Sequence, residues 1–446
     1  MTSENLKLLR YNTGTDKQVF IKFKDEVSAV IFNATIVAYS SSAVADLVSV
    51  YKNQYIIDPQ THIYQHNIET IQTTDKKGDK VVKKSVEKYL DELPSSLKSA
   101  YFANKGELTA QVITSKIDEL VESTYVFETK YVDKYIEAKE YNKYLDFVKL
   151  GPRPNVVIAP YFMLKSSFSN ETIRLWMELN KLAAEKFVVK NNSAYPVGVQ
   201  LVIEKEILER SSFFEELERI YSGINAEYAF IWIDEFNLFD APRAQQENFK
   251  KMLEILTNIG LKPIMSYGGY DAILLCNNDL PFKMYGVAQS VGYGETRSVT
   301  PVGGGLPVNK YYFPPLHSRL NMSQVTSILS REGYFSMDKS DAAERFYSSV
   351  CSCKQCKAVI KNNFDNFDMY NNSVPFTIRG KITRNRPTAD ANLIAAMHFM
   401  YSKMKEWEVV EGQSFKQLCT QLINAYEQYD QKNSDKIKSW CELYEK

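Results

Sequence analysis

Tyr228-Ala-Phe-Ile-Trp-Ile-Asp-Glu235 has the pattern of a strand buried on both faces: six apolar or aromatic residues without alternation, then two carboxylates. Parallel strands covered by helices read this way, because neither face meets water. Five further runs of the same kind flank it. They are Val156-Val-Ile-Ala-Pro-Tyr161, Pro196-Val-Gly-Val-Gln-Leu-Val202, Lys262-Pro-Ile-Met-Ser-Tyr267, Met284-Tyr-Gly-Val-Ala288 and Lys310-Tyr-Tyr-Phe313. Amphipathic helical stretches separate them. Upstream, Gln18–Phe23 and Ala29–Tyr39 read as strands, a short helix follows at about 41–52, and Gln54-Tyr-Ile-Ile-Asp58 reads as another strand. Counting two of these early strands with the six runs gives eight units, which predicts a (β/α)8 TIM barrel. A doubly wound open sheet is the main alternative. No Gly-x-Gly-x-x-Gly follows the first strand, which weighs against it.

Residues 72–150 break the alternation. They are rich in Lys and Glu, have apolar residues at helical spacing, such as Ile113, Ile117, Leu120 and Val121, and contain no convincing strand. The expected organisation is first barrel strands over 1–71, a helical insertion over 72–150, the remainder of the barrel over 151–330, and a helical metal-binding subdomain over 331–446.

The composition fits a globular chain: 446 residues are 44% hydrophobic, with no low-complexity segment. The formal net charge is zero, so no global field favours nucleic acid. Met1–Arg10 lacks the pattern of a signal peptide, and no run has the roughly 18–20 apolar residues that span a bilayer. Three of the six Cys fall within Cys351-Ser-Cys353-Lys-Gln-Cys356. Such clustering points to metal in a reducing compartment, hence a cytoplasmic protein.

Three thiolates need a fourth donor to complete a zinc tetrahedron. His398, in a helix expected to be capped by Asp390, is the best candidate. Free cysteines and an iron–sulfur cluster are the alternatives. Four protein ligands leave no open position, so the zinc would be structural.

This constellation resembles the zinc signature of tRNA-guanine transglycosylases, a family that pairs it with a (β/α)8 barrel. Leu393–Leu422 is similar to the family's helical continuation. The gap from Cys356 to His398 is longer here, with the excess around 360–386. The resemblance implies a catalytic role for Asp58, without the family's Ser-Gly-Gly-Phe-Gln after it, and base recognition by Asp234. Gly268-Gly269 resembles paired glycines that admit a purine. Gln200 lies before Asp234, whereas the family's Val-Gln motif follows its Asp-Glu strand. The family's nucleophilic aspartate has no counterpart in Lys310-Tyr-Tyr-Phe-Pro-Pro-Leu-His-Ser-Arg319. The resemblance further implies RNA held beside the zinc and pairing as a dimer, as is common in that family.

Independently of any family, barrel enzymes place catalytic groups at the C-terminal ends of strands. Those ends offer Asp58, His62, Asp234, Glu235, Asp271, Glu295, Arg297, His317 and Arg319. Asp58 and Asp234 are the catalytic candidates; each also suits a turn or a helix cap. Glu235, Gly268, Gly269, Asp271, Glu295, Arg297, His317 and Arg319 are the candidates for substrate binding. Gly303-Gly-Gly305 reads as a phosphate loop or a plain flexible one. His62 and His66 lack the further ligands of a second metal. Arg379, Lys381, Arg384 and Arg386 form a basic loop that could neutralise phosphates or simply be solvated. The expectation is an enzyme acting on a purine or deazapurine N-glycosidic bond in tRNA, DNA or a nucleotide. The alternative is a catalytically divergent barrel that binds nucleic acid or a protein within a larger assembly.

Overall fold

The computed structural model of the chain describes residues 5–11, 17–51, 54–75, 78–136, 153–292, 295–299, 308–378 and 382–445. The chain divides into two compact units. The first comprises residues 1–14, 24–268 and 281–303, and the second 15–23, 269–280 and 304–446.

The first unit is a closed eight-stranded parallel barrel. Its strands are β1 (Leu6–Tyr11), β2 (Ala29–Asn33), β3 (Tyr55–Asp58), β4 (Pro154–Ile158), β5 (Val197–Ile203), β6 (Tyr228–Ile233), β7 (Lys262–Met265) and β8 (Gly286–Ser290). Each pairs in parallel with the next, and β8 pairs back onto β1 with Leu6 opposite Gly286. The interior is filled by alternate residues, among them Leu8, Ile31, Ile56, Val156, Phe230, Ile264 and Ala288. Period two then places Arg10 on the inward face with Leu8, Asn33 with Ile31, and Asp58 with Ile56. The barrel is thus largely apolar through its body, apart from the buried Gln200 on the inward face of β5 with Val202, and polar where β1, β2 and β3 end. Crossover helices cover it, among them α1 (Asn170–Asn191), α2 (Ser211–Tyr221) and α3 (Arg243–Asn258). Each buries an apolar stripe; in α2 this is Phe213, Phe214, Leu217, Ile220 and Tyr221.

The barrel and its eight strands match the expectation, but Gln18–Phe23 and Lys310–Phe313 are not among them and Leu6–Tyr11 is. Gln18–Phe23 is not a strand. Lys17–Lys22 is a helix, because Val19, Phe20 and Phe23 are buried at helical spacing while Ile21 is 42% exposed. The true first strand, Leu6–Tyr11, carries Lys7 and Arg10 and does not read as apolar. Ala29–Tyr39 is strand only to Asn33, and a helix begins at Ala34. Lys310–Phe313 is a strand outside the barrel. The insertion is helical at Lys84–Asp91, Ser95–Ala103 and Ile117–Lys130, but Gln72–Thr74 and Lys80–Val82 form a small antiparallel pair. Its final break, 150–152, lies outside the described residues, as does Gly303–Gly305.

In the second unit, β9 (Lys310–Phe313) and β10 (Ser318–Asn321) form an antiparallel hairpin, with Tyr312 opposite Arg319. A short helix, α4 (Lys354–Ile360), follows the first two cysteines. A ribbon of β11 (Ser373–Ile378) and β12 (Ile382–Pro387) precedes the long helix α5 (Ala389–Gly412) and then α6 (Phe415–Tyr429). Thr388, not Asp390, caps α5 by accepting from Ala391 N at 3.1 Å; Asp390 lies in the first turn. Ser414 and Gln417 form a reciprocal capping box on α6.

Candidate functional site

Two constellations stand out, one in each unit. In the second unit, the ligand atoms of Cys351, Cys353, Cys356 and His398 all lie within 4.8 Å of one another. Zinc with Zn–S near 2.3 Å and Zn–N near 2.0–2.1 Å demands S···N edges of about 3.5 Å. The three Sγ atoms stand 3.7, 3.4 and 3.3 Å from His398 Nδ1. The spacing therefore fits a tetrahedral ion at the centre.

Local sequence builds this arrangement. Cys353 is the N-cap of α4 and accepts from Cys356 N at 3.3 Å, so the turn aims both sulfurs inward. His398 lies on α5 and is fully buried. Its Nε2 donates to the Tyr312 carbonyl at 2.6 Å, which fixes the tautomer and leaves Nδ1 for a metal. The Tyr311 ring stacks on the imidazole at 4.2 Å, and the Tyr311 and Tyr370 hydroxyls approach Cys356 Sγ at 3.2 and 3.4 Å. The neighbouring Cys351 and Cys356 thiols hold the Cys353 thiol well below the usual cysteine range, which favours a thiolate at neutral pH.

A buried charged network lies in the same unit. Lys403 Nζ is 2.9 Å from Glu406 and donates to Tyr312 Oη at 2.7 Å, while His317 Nδ1 is 2.6 Å from Glu406. Burial opposes charge on Glu406, but Lys403 and His317 outweigh it and hold the carboxyl below its ordinary range. His317 also stacks on Tyr270 at 3.4 Å, and Arg319 lies over Phe399 at 3.7 Å. His317 and Arg319 therefore belong to a hairpin that packs on α5, not to a barrel strand. Asp271 is buried in the Tyr270–Leu274 helix of this unit, which Gly269 precedes.

The barrel-mouth constellation centres on Asp58. Its Oδ2 is 2.9 Å from Arg10 Nη1, with both side chains fully buried. Its Oδ1 accepts from Tyr161 Oη at 2.6 Å and from Gln60 N at 3.2 Å. Arg10 also donates to Asn33 Oδ1 at 2.9 Å and, through Nε, to the Ser266 carbonyl at 2.7 Å. The guanidinium lies 4.2 Å from the Tyr267 ring centre and 5.9 Å from that of Trp232. Removing one partner of such a pair leaves a buried charge uncompensated, at a cost of about 3–5 kcal/mol.

Aromatic rings wall this polar knot. His62 stacks on Tyr161 at 5.4 Å and meets Trp232 edge-on at 5.6 Å; Trp232 lies 4.7 Å from Tyr267. Burial pushes the His62 imidazole down to about 4, so it is neutral at physiological pH. It is hydrogen-bonded to the Val299 backbone, and its Nδ1 is buried with no partner among the described residues. Val299 N also donates to Asp234 Oδ1 at 2.6 Å. One residue thus ties Asp234 to His62. Burial raises the half-buried Asp234 carboxyl above its ordinary range.

The remaining candidates are placed as follows. Glu235 is exposed and left-handed (φ 44°); Gln60 beyond β3 is half-buried and also left-handed (φ 47°). The Arg297 carbonyl accepts from Trp232 Nε1 at 3.1 Å and from Glu235 N at 3.3 Å. Glu295 is half-buried, beyond the true eighth strand, and Gly268 N donates to the Ala288 carbonyl at 3.3 Å. Arg384 and Arg386 lie on β12, a strand rather than a loop; Arg379 and Lys381 lie outside the described residues. Arg10, Tyr161, Trp232 and Tyr267 escaped the sequence reading. Only the inward register of Arg10 beside Leu8 could have revealed one of them. No helix among the described residues is long and apolar enough to cross a membrane.

No protein-family model matches the chain, and no curated protein matches it.

Proposed function

We propose that this chain is a transglycosylase-like enzyme acting on a purine or deazapurine N-glycosidic bond in nucleic acid, with zinc as a structural ion. The observation that carries the reading is the presence of Asp58 and Asp234 at strand ends of one closed barrel, linked through Tyr161, His62 and Val299 within an aromatic wall. Flat bases are held by aromatic faces, and breaking the bond needs a proton donor for the leaving base. The raised carboxyl of Asp234 suits that donor. Asp58, fixed by Arg10 and Tyr161, would supply a positioned carboxylate near the sugar. The left-handed, non-glycine residues just after β3 and β6 are local strain of the kind that collects at functional sites. The residues that would hold zinc are Cys351, Cys353, Cys356 and His398; the ion would join α4 to α5 and take no part in the chemistry. A cytoplasmic location and a purine or deazapurine partner belong to the same reading, and a homodimer would accord with the family it resembles.

A second reading is favoured by one observation: both Asp58 oxygens already accept hydrogen bonds. A carboxylate so engaged suits a barrel that binds nucleic acid or a protein partner without turnover.

Incorporation of labelled guanine into bulk tRNA and into DNA separates the two. The enzyme reading expects label in one polymer, reduced by about 10²–10⁴-fold in Asp234→Asn, whose lost proton donor is worth that much. Absence of label in both polymers with the native chain, or undiminished label in both Asp58→Asn and Asp234→Asn, overturns it.

A further inference from the structure

The segment that lengthens the gap between the third cysteine and the histidine folds into the two-stranded ribbon β11–β12. Its register pairs Val374 with Arg386 and Phe376 with Arg384, so these four side chains share one face. The other face carries Ser373, Pro375, Thr377, Thr383, Asn385 and, at its buried base, Pro387. Residues on both faces are exposed: Val374, Thr377, Thr383, Arg384, Asn385 and Arg386. A two-stranded ribbon largely exposed on both faces is marginal in water and gains from a partner.

The chemistry of the ribbon indicates what that partner is. No Asp or Glu occurs between Ser373 and Pro387. One face offers two guanidiniums, with Arg386 lying 4.8 Å from the Phe376 ring centre. The opposite face offers hydroxyls and an amide, groups that bond phosphates and base edges. The dimensions also match. Six residues per strand make a ribbon of about 20 Å, and strands about 4.8 Å apart with their side chains fill a groove about 12 Å wide. That is the major groove of B-form DNA. The major groove of an A-form RNA helix is too deep and narrow to admit the ribbon. The base is anchored: Thr388 N donates to the Asn372 carbonyl at 3.0 Å, and the same Thr388 caps the helix that carries His398.

We infer that β11–β12 is a groove-entering ribbon and that the polymer it grips is duplex DNA. This rests on the nucleic-acid reading above and narrows it to one polymer. Arg384 and Arg386 set affinity through phosphates, while Thr383 and Asn385 face the bases.

The test is fluorescence anisotropy with the full chain and three probes of one sequence: a 20-base-pair DNA duplex, the matching RNA duplex and a single DNA strand. The duplex DNA should bind most tightly. In Arg384→Ala/Arg386→Ala its affinity should fall about tenfold or more, and the slope of log K against log salt should lessen by about two. Unchanged metal content and circular dichroism show that the variant is folded. Equal binding of DNA duplex by native chain and variant overturns the inference, as does RNA duplex bound as tightly as DNA. Guanine incorporation is scored separately. Loss of turnover with ribbon-dependent DNA binding intact sinks the enzyme reading alone, and turnover without ribbon-dependent binding sinks this inference alone.

Discussion

Arg10 and His62 show how far residue type constrains the site. Arg10 is charged, yet it sits fully buried on the inner face of β1 because Asp58, Asn33 and the Ser266 carbonyl satisfy it. His62 is the inverse case, a titratable group kept neutral by burial. Its folded pKa of about 4 lies below the unfolded value of about 6.5. Between these values the unfolded chain binds a proton that the folded one does not, so stability rises with pH across that window and is lost as pH falls. His66, pushed down to about 3 chiefly by burial, acts in the same direction. The His62 contribution amounts to about 3 kcal/mol at most. Urea denaturation at pH 7 and pH 4.5 should show a smaller loss of stability in His62→Gln than in the native chain. Identical losses would mean that His62 is not buried neutral. At this scale the carboxylates Asp58 and Asp234 were legible, since acidic residues at the ends of apolar runs stand out. Their partners were not, because Tyr161, Trp232 and Tyr267 look like ordinary core residues until the barrel closes.

Elements were legible where sequence pattern and burial coincide. The run Tyr228–Ile233 is buried throughout except at Tyr228 and is the strand it promises to be. Pattern misleads where it parts company with pairing. Lys310–Phe313 is a strand, but its partner is Ser318–Asn321, a fact set by the turn Pro314–His317 and invisible in apolar content. Gln18–Phe23 is short enough to suit either period, and its buried residues follow the helical one. Within the barrel, packing leaves little slack. A Cβ built on Gly198 of β5 would lie 2.6 Å from the Phe230 ring on the neighbouring strand. Gly198→Ala should therefore destabilise the fold by about 1–3 kcal/mol, as overpacked cores do. Thermal unfolding followed by circular dichroism measures this, and an unchanged midpoint would show that the ring has room to move.

For the molecule as a whole, the sequence signal was strongest where chemistry is local and weakest where it is assembled. Cys-x-Cys-x-x-Cys brings three donors together within one turn, so a metal site can be read from spacing alone. The fourth ligand required a helix to return a histidine 42 residues beyond Cys356, and the structure supplies it at 3.3 Å. The basic segment was legible as charge but not as a ribbon, because Ser373–Ile378 is short and holds a proline, which argues against a strand. The second unit has its aromatic cluster of Tyr311, Phe367 and Tyr370 packed around the cysteine–histidine group, so a bound ion should stabilise it as a folding unit. Metal analysis of the purified chain, joined to X-ray absorption at the zinc edge, is accordingly decisive. One zinc per chain with three sulfur neighbours near 2.3 Å and one nitrogen near 2.0–2.1 Å is expected, falling to none in Cys353→Ala with new protease cleavage in 310–445. A native chain that holds no zinc, or holds iron instead, would remove the structural ion and with it the resemblance on which the transglycosylase reading leans.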